Sequence, residues 1–186
     1  MTIVPDGKDW TWVLGRRCPE CGLDAQSFSR AEIPQMIRAN AAAWRVPLAA
    51  VGAADRPRPD RWSALEYGCH VRDVFRLYDY RLGLMLTEDD PLYPNWDQDE
   101  TAVADDYASQ NPAVVADELA SAADALAASF AAVSGDQWLR PGRRGDGASF
   151  TVETFGRYFM HDPIHHLYDV TGVPAADAYE RRGPQC

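Results

Sequence analysis

Apolar residues recur at helical spacing in four stretches of this chain, and each stretch opens on a capping signal. Ser29-Arg30-Ala31-Glu32 has the Ser-x-x-Glu form in which side chains and backbone N–H groups satisfy each other, and Ile33, Ile37, Trp44 and Leu48 follow on one stripe. Pro34 falls in the first turn, where it is tolerated, whereas Pro47 should kink or end the helix. Ser63-Ala64-Leu65-Glu66 repeats the capping box, with Trp62 and Tyr67 placed as a hydrophobic staple across it. Leu65, Val71, Val74, Phe75, Tyr78, Leu82 and Met85 carry that face to about Leu86. Asn111 followed by Pro112 starts a third, alanine-rich helix through Val115, Leu119, Leu126, Phe130 and Val133, closing at Ser134-Gly135. Thr151 opens the fourth, with Phe155, Tyr158, Phe159, Leu167 and Val170, and Thr171-Gly172 ends it. Pro163 in its middle removes one backbone bond and is expected to open the helix there.

The connections are long. Residues 52–60 are rich in proline and charge, residues 87–110 are acidic and carry Pro91, Pro94 and Trp96, and residues 136–150 read as a loop. The stretch 87–110 has room for a short helix, and connections of that length are usually functional or mobile. The pattern therefore predicts an all-α four-helix bundle over 29–172, an irregular N-terminal arm over 1–28 and a loose tail over 173–186.

A chain of 186 residues suits one domain with a sizeable core. The net charge of −10, with no Lys/Arg cluster, excludes nucleic acid as an expected partner. No stretch has the length and apolarity of a membrane span, and the first residues lack the pattern of a secretory signal, so a cytoplasmic location is expected. Lys8 is the one lysine beside many arginines and alanines, a mark of GC-rich coding.

Four histidines stand at 70, 161, 165 and 166. His161 and His165 are four apart and share a helix face, a spacing at which two imidazoles can grip one metal ion. His70 lies four residues after Glu66 and three before Asp73, so a carboxylate can orient its ring. His166 is turned one residue off the His161/His165 face and makes the poorest ligand of the four. Spacing alone leaves a competing account, in which each histidine is a satisfied core or surface side chain.

Resemblance favours the metal. Trp62-Ser63-Ala64-Leu65-Glu66-Tyr67-Gly68-Cys69-His70-Val71-Arg72-Asp73-Val74 resembles the second-helix motif of the DinB-like superfamily, and His161-Asp162-Pro163-Ile164-His165-His166-Leu167-Tyr168-Asp169-Val170 resembles its fourth-helix motif. The resemblance implies a four-helix bundle with a divalent metal, usually zinc or nickel, held by one histidine of helix two and two of helix four: His70, His161 and His165. Asp169 would hold a ligand ring or pair with an arginine.

The same resemblance implies a thiol S-transferase or thiol-dependent isomerase that uses mycothiol or bacillithiol, and the coding bias favours mycothiol. The partners would then be the low-molecular-weight thiol and a small-molecule electrophile, met by Arg72, Arg76, Arg157 or Tyr158. Two alternatives stay open. One is a hydrolase on the same metal with Glu66, Asp73 or Asp162 as base, and the other is a non-enzymatic metal- or ligand-binding stress protein, in the form of a homodimer.

Cys18-Pro19-Glu20-Cys21-Gly22 has the form of half a zinc knuckle. A second, structural zinc there needs two more ligands, from Cys69, Cys186, His166 or an aspartate; a redox pair and two inert buried thiols are the other readings. Cys69 points about 100° away from His70 on its helix and is expected in the core.

Overall fold

A computed structural model describes residues 9–175. Its helices are α1 (Ile33–Ala49), α2 (Ala64–Thr87), α3 (Gln98–Ala104), α4 (Pro112–Ala132) and α5 (Val152–Thr171). The bundle is built from α1, α2, α4 and α5, with α4 packed between α1 and α2 on one side and α5 between them on the other.

The expected caps are in place. Ser63 accepts from the Glu66 backbone N–H while Glu66 accepts from that of Ser63, Asn111 caps α4, and Thr151 caps α5. Gly172 takes the left-handed conformation (φ 69°) that ends α5. The two internal prolines interrupt less than expected. Pro47 sits in the last turn of α1, which continues to Ala49. Helix α5 runs through Pro163, whose carbonyl accepts from the Asn40 side chain of α1 at 3.0 Å.

Phe75, Phe130, Phe155 and Phe159 are wholly buried at the centre. Each such ring contributes about 1.5–3 kcal/mol by leaving water. Gly156 lets α5 approach its neighbours: a Cβ there would lie 2.9 Å from Ile33 Cδ1 and 3.0 Å from Phe130 Cε1.

The connections 87–110 and 136–150 are not plain loops. Strands β1 (Leu92–Tyr93), β2 (Pro141–Arg144) and β3 (Ser149–Thr151) form a small sheet, with β1 parallel to β2 and β2 antiparallel to β3. Strands this short, one beginning Pro-Gly, carry no alternating pattern, so the sequence hides them. The pairing sets Arg144, at the end of β2, opposite Tyr93 of β1.

Within the arm, a 3-10 turn (Thr11–Leu14) packs on α5. Arg157 of α5 donates to the carbonyls of Ala25 and Phe28 at 2.6 and 2.7 Å. Of the expected tail, Val173 to Ala175 return to the arm, where the Ala175 N–H donates to Cys21 O at 2.8 Å. Residues 1–8 and 176–186, Cys186 among them, lie outside the described residues. No helix among the described residues is long and apolar enough to cross a membrane.

Candidate metal centre

His70 has no exposed surface at all, lying between the rings of Trp96, stacked at 5.4 Å, and Trp62. Neither of its ring nitrogens has a hydrogen-bond partner among the described residues. An imidazole left so in the interior costs about 1–3 kcal/mol, and the arrangement around it suggests what offsets that cost. Its Nε2 stands 3.4 Å from Oδ1 of Asp162, an atom also sealed and without a hydrogen bond. The Nε2 of His166 approaches the same oxygen at 3.8 Å. His70, Asp162 and His166 offer three donor atoms within 4.8 Å of one another.

The electrostatics suit a cation. Burial pushes the His70 pKa down, against the pull of the neighbouring Asp162 carboxylate. Burial works to raise the Asp162 pKa, but the His70 and His166 rings overrule it, and its carboxyl ionises well below the usual range. The far side of His166 is held as well, because its Nδ1 lies 3.2 Å from Oδ2 of Asp169. Arg61 in turn grips the Asp169 carboxylate at 3.0 Å and its carbonyl at 2.7 Å. Two imidazoles and one carboxylate, with the second ring nitrogen of His166 tied to a carboxylate, make a donor set that fits a divalent ion with positions left open.

The structure does not gather the expected trio His70, His161 and His165. The stripe of α5 that faces α2 carries residues 162 and 166, so His70 meets Asp162 and His166. His161 and His165, one residue earlier and about 100° round the helix, face the arm instead. His166, by spacing the poorest ligand of the four, stands in the His70 group, and Asp162, one of three candidate bases, offers a donor atom there.

His161 and His165 join Cys18 and Cys21, and these four buried side chains have their donor atoms within 4.8 Å of one another. Cys18 Sγ is 3.7 Å from His165 Nδ1, and His161 Nε2 has no hydrogen-bond partner. Both thiols are free of disulfides. Burial pushes the Cys21 thiol up to about 12 and the His161 ring down to about 4. The indole of Trp10 covers both imidazoles, at 5.1 and 5.3 Å. Of the completing ligands expected for the Cys-x-x-Cys turn, Cys69 is in the core beside Gln110, at 3.4 Å, and His166 is in the other group.

A cleft of about 500 Å³ opens over Asp162 and His166, with Trp10, Trp62 and Trp96 in its walls. Tyr158 lines it, and its hydroxyl accepts from Arg144 at 3.0 Å. The other expected substrate groups lie elsewhere. Arg72 is buried in a network with Asp73, Gln110 and Glu118, and Asp73 also accepts from the Tyr107 hydroxyl at 2.6 Å. Glu66 is spent on its cap and on Arg56, Arg76 pairs with Asp73 and Glu118, and Arg157 holds the arm.

Sequence reasoning passed over Arg81. It lines the cleft three turns beyond His70 on α2, is 4 % exposed, and donates to Pro94 O at 2.8 Å. Burial pulls its pKa down, and the charged and polar groups that act on it are tyrosines and Arg144 rather than carboxylates. An eleven-residue step from His70 on a helix would have been the signal.

Residues 36–170 match the DinB superfamily. No curated protein matches the chain. Among solved structures it is similar to one described as "YfiT from Bacillus subtilis is a probable metal-dependent hydrolase with an unusual four-helix bundle topology", at a TM-score of 0.70 and 21% identity over 79% of this chain and 88% of that one. At that identity the likeness establishes the fold.

Proposed function

Because the chain belongs to the DinB superfamily, we propose that it is a metal-dependent enzyme in which His70, Asp162 and His166 hold a divalent cation, zinc or nickel, at the floor of the Trp96 cleft. The observation that carries this reading is the fully buried His70 ring, without hydrogen-bond partners, aimed at an equally unpartnered carboxylate oxygen. Bound there, the cation supplies Lewis acidity that lowers the pKa of a low-molecular-weight thiol from about 8.5, giving a thiolate near neutral pH.

The chain's own side chains do the rest. Asp169 fixes the His166 ring, the tryptophan walls exclude water, and Arg144 and Tyr158 meet the electrophile where the cleft opens. Of the five carboxylates among the cleft's lining residues, Asp60, Asp146 and Asp169 are each held by an arginine, Asp162 faces His70, and Asp99 lies in the first turn of α3. That favours a nucleophile acidic enough to need no protein base, and transfer of a thiol such as mycothiol is therefore the first reading. A hydrolytic reading has its own support: two histidines and one carboxylate are a donor set of catalytic zinc hydrolases, and the similar solved structure is described as a "probable metal-dependent hydrolase".

Thiol consumption with mycothiol, bacillithiol and glutathione against a panel of electrophiles tests the choice. The expected result is turnover with mycothiol that His70→Ala abolishes. Turnover of esters or amides without any thiol, lost in the same variant, would put hydrolysis in its place.

A further inference from the structure

We propose a second, structural metal site, a closed zinc centre made by Cys18 and Cys21 of the arm with His161 and His165 of α5, separate from the His70 centre and with no part in its chemistry. The four side chains come from two segments more than a hundred residues apart in sequence, yet all are buried and their donors lie within 4.8 Å of one another. Zinc–sulfur and zinc–nitrogen bonds at tetrahedral angles set sulfur and nitrogen about 3.6 Å apart. The 3.7 Å between Cys18 Sγ and His165 Nδ1 is already that edge.

The turn that carries the two cysteines is tightly closed. The Gly22 N–H donates to Cys18 O at 3.0 Å and the Cys18 N–H to Leu23 O at 2.8 Å, closing a tight loop that Gly22 completes at a φ of 77°. The outer carbonyls are met too, with Arg17 on Gly22 O at 2.7 Å and the Ala175 N–H on Cys21 O. The backbone around the two sulfurs is therefore satisfied, while the buried His161 Nε2 beside them has no hydrogen-bond partner among the described residues.

Charge and softness choose the ion. Two thiols each lose a proton to solvent as they bind, so a divalent ion with two thiolates and two imidazoles is neutral overall, as a buried site requires. Sulfur and imidazole donors in a closed set of four match structural zinc and leave no position for substrate. The His70 group, with a carboxylate and no sulfur, selects a harder and more open coordination.

The consequence for the fold is specific. The centre pins the arm to the same helix that supplies Asp162 and His166, and it fixes the rotation of α5 that turns those residues toward His70. It also holds Trp10 as a wall of the cleft. Occupancy of the arm site should thus set the shape of the neighbouring cleft without donating to its cation.

Cobalt(II) exchange into the full chain, with no thiol added, reads the site directly. The expected result is two equivalents of cobalt and a sulfur-to-cobalt charge-transfer band. Cys18→Ser/Cys21→Ser should lose the band and one equivalent, while His70→Ala loses one equivalent and keeps the band. Should the double serine variant fail to fold, native zinc protein answers instead: its Cys18 and Cys21 should resist a thiol reagent until chelator is added, when proteolysis within residues 9–28 should also appear. One equivalent of cobalt without the band, a band that disappears with His70→Ala, or thiols that react equally with and without chelator would each overturn the proposal.

Discussion

His166 turns Nδ1 to Asp169, 3.2 Å from Oδ2, and Nε2 to Asp162. An ionised carboxylate only accepts, so Asp169 favours the form of the His166 ring that carries a proton on Nδ1. Asp169 therefore selects the tautomer that can bind a cation, although it contributes no donor itself.

Replacing Asp169 by Asn should weaken metal retention at the His70 centre by roughly 10–100-fold, the usual effect of losing a carboxylate behind a ligating imidazole. Competition against a graded series of chelators measures it. Because Arg61 also holds Asp169, an Arg61→Ala control separates loss of the anchor from loss of the tautomer. Equal retention in Asp169→Asn and the parent would show that the ring is oriented by packing alone.

The four helices, their caps and their burial faces were legible because each is written in a 3.6-residue repeat bounded by Ser, Asn or Thr. The roles of the four histidines were not. His161, His165 and His166 lie within one and a half turns, and a shift of one residue exchanges the partners of all three. Only the direction from which α2 and the arm approach α5 decides between them, and that is tertiary information. The Cys-x-x-Cys turn announces a donor pair, but the side chains it meets, His161 and His165, stand on a helix whose motif resembles a different site. The three-stranded sheet escaped for a different reason, since strands of two to four residues have no period to read.

The register itself can be tested by loss of function. With the arm cysteines intact, His166→Ala and Asp162→Ala should each remove metal from the His70 centre and abolish turnover. His161→Ala should leave that metal in place and lose the arm metal instead. Metal analysis of the three purified variants gives the answer, and a His161→Ala protein that lost the cation bound with His70 would restore the trio His70, His161 and His165.

Acid should act on the α2–α4 seam. Burial works to raise the pKa of Asp73, but the hydrogen bonds from Arg72 and Tyr107 outweigh it and hold the carboxyl below its ordinary 3.8. A carboxyl with a depressed pKa stabilises the fold fully above its unfolded value and loses that contribution as pH falls through the folded one. Stability should therefore drop as pH is lowered below about 4, and Asp73→Asn should flatten that limb while lowering stability at neutral pH. Urea midpoints measured across the acid range provide the comparison. An acid limb as steep in Asp73→Asn as in the parent would assign the loss to other carboxylates.

Arg81 should set what the cleft accepts. It is a buried cation whose one hydrogen-bond acceptor among the described residues is a carbonyl, three helical turns from His70 on the same face of α2 and close above the ring of Tyr93, at 4.8 Å. Arg144, the neighbouring arginine, is already held by Asp146 at 2.7 Å. A desolvated guanidinium gains most from an anion, so the substrate or thiol should present a carboxylate or similar group to Arg81 while its reacting atom lies over Asp162 and His166. A hydrogen bond to a charged group is worth about 1.5–3 kcal/mol, which converts to a change of roughly 10–150-fold in binding. Arg81→Gln should raise the Michaelis constant by at least the lower of these, leave kcat within a few-fold, and leave the metal content unchanged, because the residue binds substrate and touches neither metal group. Neutral analogues of the same substrate should be affected far less. A fall in kcat with an unchanged Michaelis constant would instead place Arg81 in the reaction step, and equal effects on charged and neutral substrates would make it a support of the β1 and Pro94 segment.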